Sequence, residues 1–247
     1  MKQMIPAALS ALALALAAGS VHAQVINGNF SGLAGWSTAG DAAAVSTGGN
    51  HLVLTNAWSD GLDDAGTDGL NHNVSGNDPL ATGGGAGSLE DFVGVAGAAF
   101  DPDPATFLQA YEGSAAQQTF TLAAGGTLSF QWNFGTTETS GDPSLADAGF
   151  VVIDGSVTRL ASTLDTVAFG GGDYSAQTGW QSWSALLAAG THTIAFGVVD
   201  VGSTTDSSAL SVTGVSVASV SAVPESSTLA LFGAGLGLLG LARRRRV

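Results

Sequence analysis

Thr127-Leu128-Ser129-Phe130-Gln131-Trp132-Asn133-Phe134 alternates apolar and polar side chains without a fault. Successive side chains of a strand point to opposite faces, so this stretch sends Leu128, Phe130, Trp132 and Phe134 into a core and leaves Ser129, Gln131 and Asn133 wet. The pattern extends on both sides. Phe120 and Leu122 alternate before Ala123-Ala124-Gly125-Gly126, which reads as the turn of a hairpin. Gly149-Phe150-Val151-Val152-Ile153 reads as a more fully buried strand, ended by the turn pair Asp154-Gly155. Ile194, Phe196 and Val198 share one parity after the Ala189-Gly190 turn. In the last strand Leu210 and Val212 have one parity, Val215 and Val217 the other. Keeping all four in one core needs one extra residue, and Gly214 is the site for a β-bulge. The stretch from Ser59 to Ala99, with Gly61-Leu62-Asp63-Asp64 and Gly83-Gly84-Gly85, has weak periodicity and reads as loop. Antiparallel strands separated by turn signals predict an all-β chain, a β-sandwich of jelly-roll type, with Trp132 and Trp36 in its core.

Composition narrows the chemistry. The 247 residues include 36 glycines and no cysteine, which removes disulfides, thiolate nucleophiles and cysteine-ligated zinc together. Burial must supply the stability, and about 200 residues suffice for one sandwich. Of the six basic residues, Lys2 lies at one end and Arg243, Arg244, Arg245 and Arg246 at the other, so Arg159 is the one base between Gln24 and Pro224. Nineteen carboxylates against that single arginine give this segment a formal charge of −18. Phosphate backbones are repelled, and the basic clusters that drive nucleic-acid binding are absent, which excludes nucleic acid as a partner. Oxygen-rich, lysine-poor loops suit calcium.

The two ends carry targeting chemistry. Residues 1–23 hold Lys2, an apolar run from Ala7 to Ala18 and the small-x-small sequence Val21-His22-Ala23, the pattern of a signal peptide cut by signal peptidase before Gln24. Residues 24–220 form the β-sandwich ectodomain. Residues 221–247 place Pro224-Glu225 before an uncharged Leu/Ala/Gly stretch, Ser227 to Ala242, and then the four arginines. The arginines hold the cytoplasmic side, so the bulk of the chain is expected outside. A stretch this short and glycine-rich suits a transient membrane-spanning helix better than a lasting anchor.

Val25-Ile26-Asn27-Gly28-Asn29-Phe30, followed by Gly35-Trp36, resembles the opening of secreted jelly-roll domains, carbohydrate-binding modules among them. Thr178-Gly179-Trp180-Gln181-Ser182-Trp183, Phe196-Gly197-Val198-Val199-Asp200-Val201 and Asp206-Ser207-Ser208-Ala209-Leu210 are similar to the closing strands of PEP-CTERM ectodomains. The tail resembles the PEP-CTERM sorting signal, with Ser226 where that family has a second proline. The resemblance implies an exosortase partner that reads Pro224 and Glu225, with Arg243, Arg244, Arg245 and Arg246 as the retaining cluster. It also implies an exported protein at the cell surface or in the extracellular matrix.

Catalytic motifs are missing: there is no Gly-x-Ser-x-Gly elbow, no His-Glu-x-x-His helix and no phosphate loop with its lysine. The histidines of the mature chain, His51, His72 and His192, are scattered, and no spacing singles out two carboxylates as a glycosidase pair. Binding is the open question. An exposed aromatic ring stacks on the C–H face of a pyranose, and Trp58, Trp180 and Trp183 are the candidate glycan platforms. Asp200 and Asp206, flanking the turn before the last strand, are the candidate ligands of a structural calcium; no other cofactor is expected. The acidic loop Asp60, Asp63, Asp64, Asp68 departs from the EF-hand spacing. Three functions stay open. They are a non-enzymatic surface or matrix protein associated with extracellular polysaccharide, a lectin-like carbohydrate-binding module, and a polysaccharide hydrolase with a carboxylate pair.

Overall fold

The computed structural model describes residues 25–57, 79–102, 108–168, 174–202, 206–219 and 234. The signal segment, Trp58, the acidic loop from Asp60 to Asp68 and the sorting tail with Pro224, Glu225 and Arg243 to Arg246 lie outside the described residues. No helix among the described residues is long and apolar enough to cross a membrane.

The described chain is an all-β sandwich of two antiparallel sheets. In order, its strands are β1 (Ser37–Ala39), β2 (Asp41–Val45), β3 (His51–Thr55), β4 (Leu80–Ala81), β5 (Ala110–Leu122), β6 (Gly126–Thr136), β7 (Ala148–Ile153), β8 (Ser156–Ser162), β9 (Val167–Ala168), β10 (Ala176–Gln177), β11 (Gln181–Leu187), β12 (Gly190–Val201) and β13 (Ser208–Ser219). One sheet runs β1-β5-β12-β7-β8, with β4 on β5. The other runs β2-β3-β13-β6-β10-β9, with β11 also on β6.

The alternation of β6 is observed as read: Leu128, Phe130, Trp132 and Phe134 are buried between the sheets, where they meet Phe120, Val151, Ile194, Phe196 and Val198 of the opposite layer. Trp36 joins this core, its indole N–H donating to the Ile26 carbonyl at 3.0 Å. The bulge falls at Gly214. Thr213 pairs with Gln131 and Ser216 with Ser129, so two residues of β13 oppose Phe130 alone. Gly214 takes the left-handed conformation with φ 66°, which a residue bearing Cβ adopts only with strain. The extra residue brings Leu210, Val212, Val215 and Val217 to one core. Asp154 and Gly155, with φ of 51° and 78°, make the two-residue turn joining β7 to β8, as their sequence predicts.

Two expectations are corrected. Phe120-Leu122 and the strand from Thr127 do not form a hairpin: β5 pairs with β1 and β12, while β6 pairs with β11 and β13, so the Ala123–Gly126 turn crosses from one sheet to the other. The two strands still face each other, but across the core rather than along a ladder. Twelve residues of β12 from Gly190 to Val201 take the edge of β5 that the hairpin would have used. Nor is the region up to Ala99 only loop. It holds β4 and a short helix, α1 (Leu89–Val93), capped by Ser88, whose hydroxyl accepts the Asp91 N–H, and by Gly94 in the left-handed region. Leu89 and Val93 of α1 and Phe100 pack on the outer face of the first sheet against Phe150, Val152, Ala195 and Val199. β7 and β12 are thereby buried on both faces, which is why they read as near-continuous apolar runs.

Candidate functional site

The wet parity of β6 creates the most developed polar face. Antiparallel partners share a face, so Gln131 lies between Ser182 of β11 and Thr213 of β13, and Asn133 lies beside Ser211, itself opposite Val53 of β3. This floor of amides and hydroxyls carries no formal charge.

Trp180 immediately precedes β11 and has the outward parity of Ser182. It is 49% exposed, an unusual amount for an indole. The turn that presents it is tied to β6: Phe134 N–H donates to the Thr178 hydroxyl at 3.0 Å, Thr178 N–H donates to the Phe134 carbonyl at 2.9 Å, and the Thr178 hydroxyl reaches Asn133 Oδ1 at 3.2 Å. Asn133 Nδ2 is spent on Gln177 Oε1 at 3.0 Å. The indole meets the His51 ring edge-on, centroids 6.0 Å apart at 85°. β6 and β13 separate the strands bearing these rings, a span of about 14 Å, so both rings lean over the floor. Thr213 Oγ1 donates to the Asn50 carbonyl at 2.8 Å, which anchors the loop before His51. His51 Nδ1 lies 2.7 Å from the Gly49 carbonyl, which can only accept, so Nδ1 bears the proton. In the neutral ring Nε2 is then the acceptor. The arrangement offers a rigid aromatic plane beside neutral donors and acceptors, the combination a hydroxyl-rich, uncharged ligand needs.

Trp183 does not share this face. It pairs with Phe130 across the ladder and stacks on it, centroids 4.9 Å apart at 24°, so it turns half-buried toward the core instead of offering a platform. One residue of register separates the two roles, because Trp180 and Trp183 differ in parity. His51 was missed by the sequence reading, since only the β3–β13–β6–β11 order brings it to Trp180. Gln131 and Asn133 had a signal in the alternation of β6.

Carboxylates gather at one end of the sandwich. A cleft of about 300 Å³ is lined by Glu138, Thr163, Leu164 and Ser175 among others. Burial pushes the Glu138 carboxyl up; the Ser140 hydroxyl pulls it down, and the charges of Asp206 and Asp142 add to the rise. Asp142 is held low by the Ser144 N–H and hydroxyl. Asp200 and Asp206 occupy different surroundings. Asp200 is buried on β12 opposite Glu112, whereas Asp206 approaches Thr137 and Glu138. No group of three or more His, Cys, Asp or Glu able to hold a metal occurs among the described residues. His192 is engaged at both nitrogens, Nδ1 with Asp154 Oδ2 at 2.7 Å and Nε2 with the Ala188 carbonyl at 3.0 Å, which leaves it no free nitrogen for base catalysis.

No protein-family model and no curated protein matches the chain. Among solved structures it is similar to a carbohydrate-binding module solved with β-1,4-galactotriose, at 11% identity and TM-score 0.37, over 78% of this chain and 96% of that one. It is also similar to a family 35 carbohydrate-binding module from an environmental isolate, at 18% identity and TM-score 0.22, over 44% and 71% of the two chains. A third is the enzymatically active domain of bacteriophage CBA120 tailspike protein 4, at 11% identity and TM-score 0.29, over 78% and 21%. At this level of likeness the neighbours lend the chain neither a ligand nor a site.

Proposed function

We propose that the chain is an exported, non-enzymatic protein whose sandwich binds a neutral glycan on the outer face of the second sheet. The observation that carries this reading is Trp180: a half-exposed indole on a turn fastened to β6, beside Gln131, Asn133, Thr213 and His51. An isolated exposed indole would need no account, but one pre-ordered over an uncharged polar floor loses little entropy when a pyranose stacks on it. Trp180→Ala is expected to weaken binding to neutral polysaccharide at least tenfold, with the melting temperature unchanged, because the ring fills no core. Titration calorimetry against extracellular polysaccharide reads the first effect and a thermal melt the second. Unaltered affinity in Trp180→Ala would remove this face as the site. Trp183→Ala should behave oppositely and lower the melting temperature, since its ring covers Phe130. Incubating the protein with the bound polysaccharide separates this reading from a hydrolase working at Glu138, because only the hydrolase shortens the glycan.

The tail supports a route to the surface. In this proposal an exosortase reads Pro224-Glu225 while the stretch from Ser227 to Ala242 holds the chain in the bilayer and Arg243 to Arg246 fix its orientation. In a host with a matching exosortase, replacing Pro224-Glu225 by Ala-Ala is expected to leave export intact and keep full-length protein in the membrane fraction. The parent is expected to lose its tail. Mass spectrometry of the mature parent checks it: a C-terminus at Val247 in that host leaves an ordinary anchor as the explanation.

A further inference from the structure

A second cleft, of about 270 Å³, opens on the outer face of the first sheet. Phe100, Phe150, Val157 and Val199 wall it with apolar surface, and Asp101 and Arg159 are the charged residues at its lining. Phe100 packs on Phe150 with centroids 4.3 Å apart, so the floor is firm. Asp101 is already engaged, its Oδ1 accepting the Ala110 N–H at 3.0 Å. Arg159 is aimed by an irregularity in the ladder. Gly149 pairs with Ala161 and Phe150 with Arg159, so Leu160 is the extra residue, and Arg159 stands beside Phe150 on the outer face.

That arginine is the one base among nineteen carboxylates between Gln24 and Pro224. It is exposed, and among the described residues no carboxylate lies within ion-pair distance of it; the ion pair they contain joins His192 to Asp154. A guanidinium in a polyanion finds partners easily, so one with no carboxylate beside it among the described residues, at the edge of an apolar hollow, has a fork to offer a ligand.

We infer that this cleft binds a single uronic acid residue of a glycan, its carboxylate on the Arg159 fork and its C–H face on Val157 and Phe150. Size and charge select that ligand class. A cleft of about 270 Å³ lies just below the range of ordinary small-molecule pockets, roughly 300–1,000 Å³, and has room for one sugar ring. A phosphate or a run of anions is opposed by the −18 of the surrounding domain, whereas one carboxylate gives a bidentate pair at the smallest cost in repulsion. The site is separate from the Trp180 face, being on the other sheet.

The full chain, isotope-labelled and titrated with D-glucuronate, is expected to show saturable amide shifts in the millimolar range at Ala148, Val157 and Val199, and none there with D-glucose. Arg159→Gln should weaken glucuronate binding at least tenfold, as loss of a charge-assisted pair does, and Arg159→Lys less, because it keeps the charge and loses the fork. Trp180→Ala should leave glucuronate binding unchanged, which keeps failure of this site distinct from failure of the neutral-glycan face. Equal affinity in Arg159→Gln, shifts centred on Trp180, no saturable shift in the parent, or acetate binding as tightly as glucuronate would each overturn the assignment. The parent's shift map does not depend on any variant folding.

Discussion

Lowering the pH from 7 to 4 is expected to raise the stability of the sandwich by an amount on the order of a few kcal/mol, and Asp147→Asn to erase most of that gain. Asp147 is buried where four segments converge. Its Oδ1 accepts the Val201 N–H at 2.9 Å, and its Oδ2 accepts Asn56 Nδ2 at 3.0 Å and the Ser208 hydroxyl at 2.7 Å, while its carbonyl accepts the Thr163 N–H. Burial dominates, pushing this carboxyl up to about 7 against the pull of those three donors, with the charge of Glu138 adding to the rise. Between about pH 4 and 7 the folded chain therefore holds a proton that the unfolded chain has released. The native state then binds more protons, and stability falls as pH rises. His192 acts in the same direction at the upper end. The hydrogen bond to Asp154 raises it above its ordinary value, so its contribution is complete below about 6.5 and is lost as pH climbs through the raised value. Asp154 opposes both below about pH 4: burial pushes it up, but the bonds from His192 and the Thr193 N–H and the imidazolium charge outweigh that and lower it, so its contribution fades as acid protonates it. Denaturant unfolding at pH 4, 5, 6 and 7 for the parent and Asp147→Asn measures the effect; parallel profiles would refute the role given to Asp147. At pH 7, Asp147→Ala strands three donors and is expected to cost about 3 kcal/mol.

Gly197→Ala is the second large effect, a loss of about 3 kcal/mol and a fall of roughly 6–12 °C in Tm. Gly197 lies mid-strand in β12, opposite Phe150 on one side and Ala115 on the other. A Cβ here would come 2.2 Å from Phe150 Cζ and 2.7 and 2.8 Å from its two Cε atoms. The ring has nowhere to go, because Phe100 packs on it and the backbones on both sides are fixed by ladders. Thermal and denaturant melts check this, and a Tm within 2 °C of the parent would mean that the outer layer of α1 and Phe100 yields far more readily than its packing implies. The substitution should also disturb the Arg159 cleft, whose wall is the same ring.

Much of the sandwich was legible because strand periodicity is local. The alternation of residues 127–134 fixes which side chains of β6 are buried, Asp154-Gly155 dictates a primed turn, and the change of parity between Val212 and Val215 requires the bulge at Gly214. The same alternation placed Gln131 and Asn133 on a wet face, half of the candidate site. Periodicity names a face but not a partner. Phe120 and Leu122 have the same pattern whether β5 pairs with β6 or with β12, and the choice went to β12 through contacts about 70 residues away in the chain. A helix of five residues, α1, is too short to display a helical period, so its burial against Phe150 and Val199 had no local signature. His51 meets Trp180, Asp147 is pushed toward its protonated form and Arg159 has no carboxylate beside it among the described residues for one reason: each depends on neighbours brought from distant segments and on the water those neighbours exclude. The sequence by itself determined the class of fold, the faces of its clearest strands and the charge of the whole; the tertiary structure alone decided strand order, the second buried layer and which polar groups share an outer face, because these are set by non-local packing and desolvation.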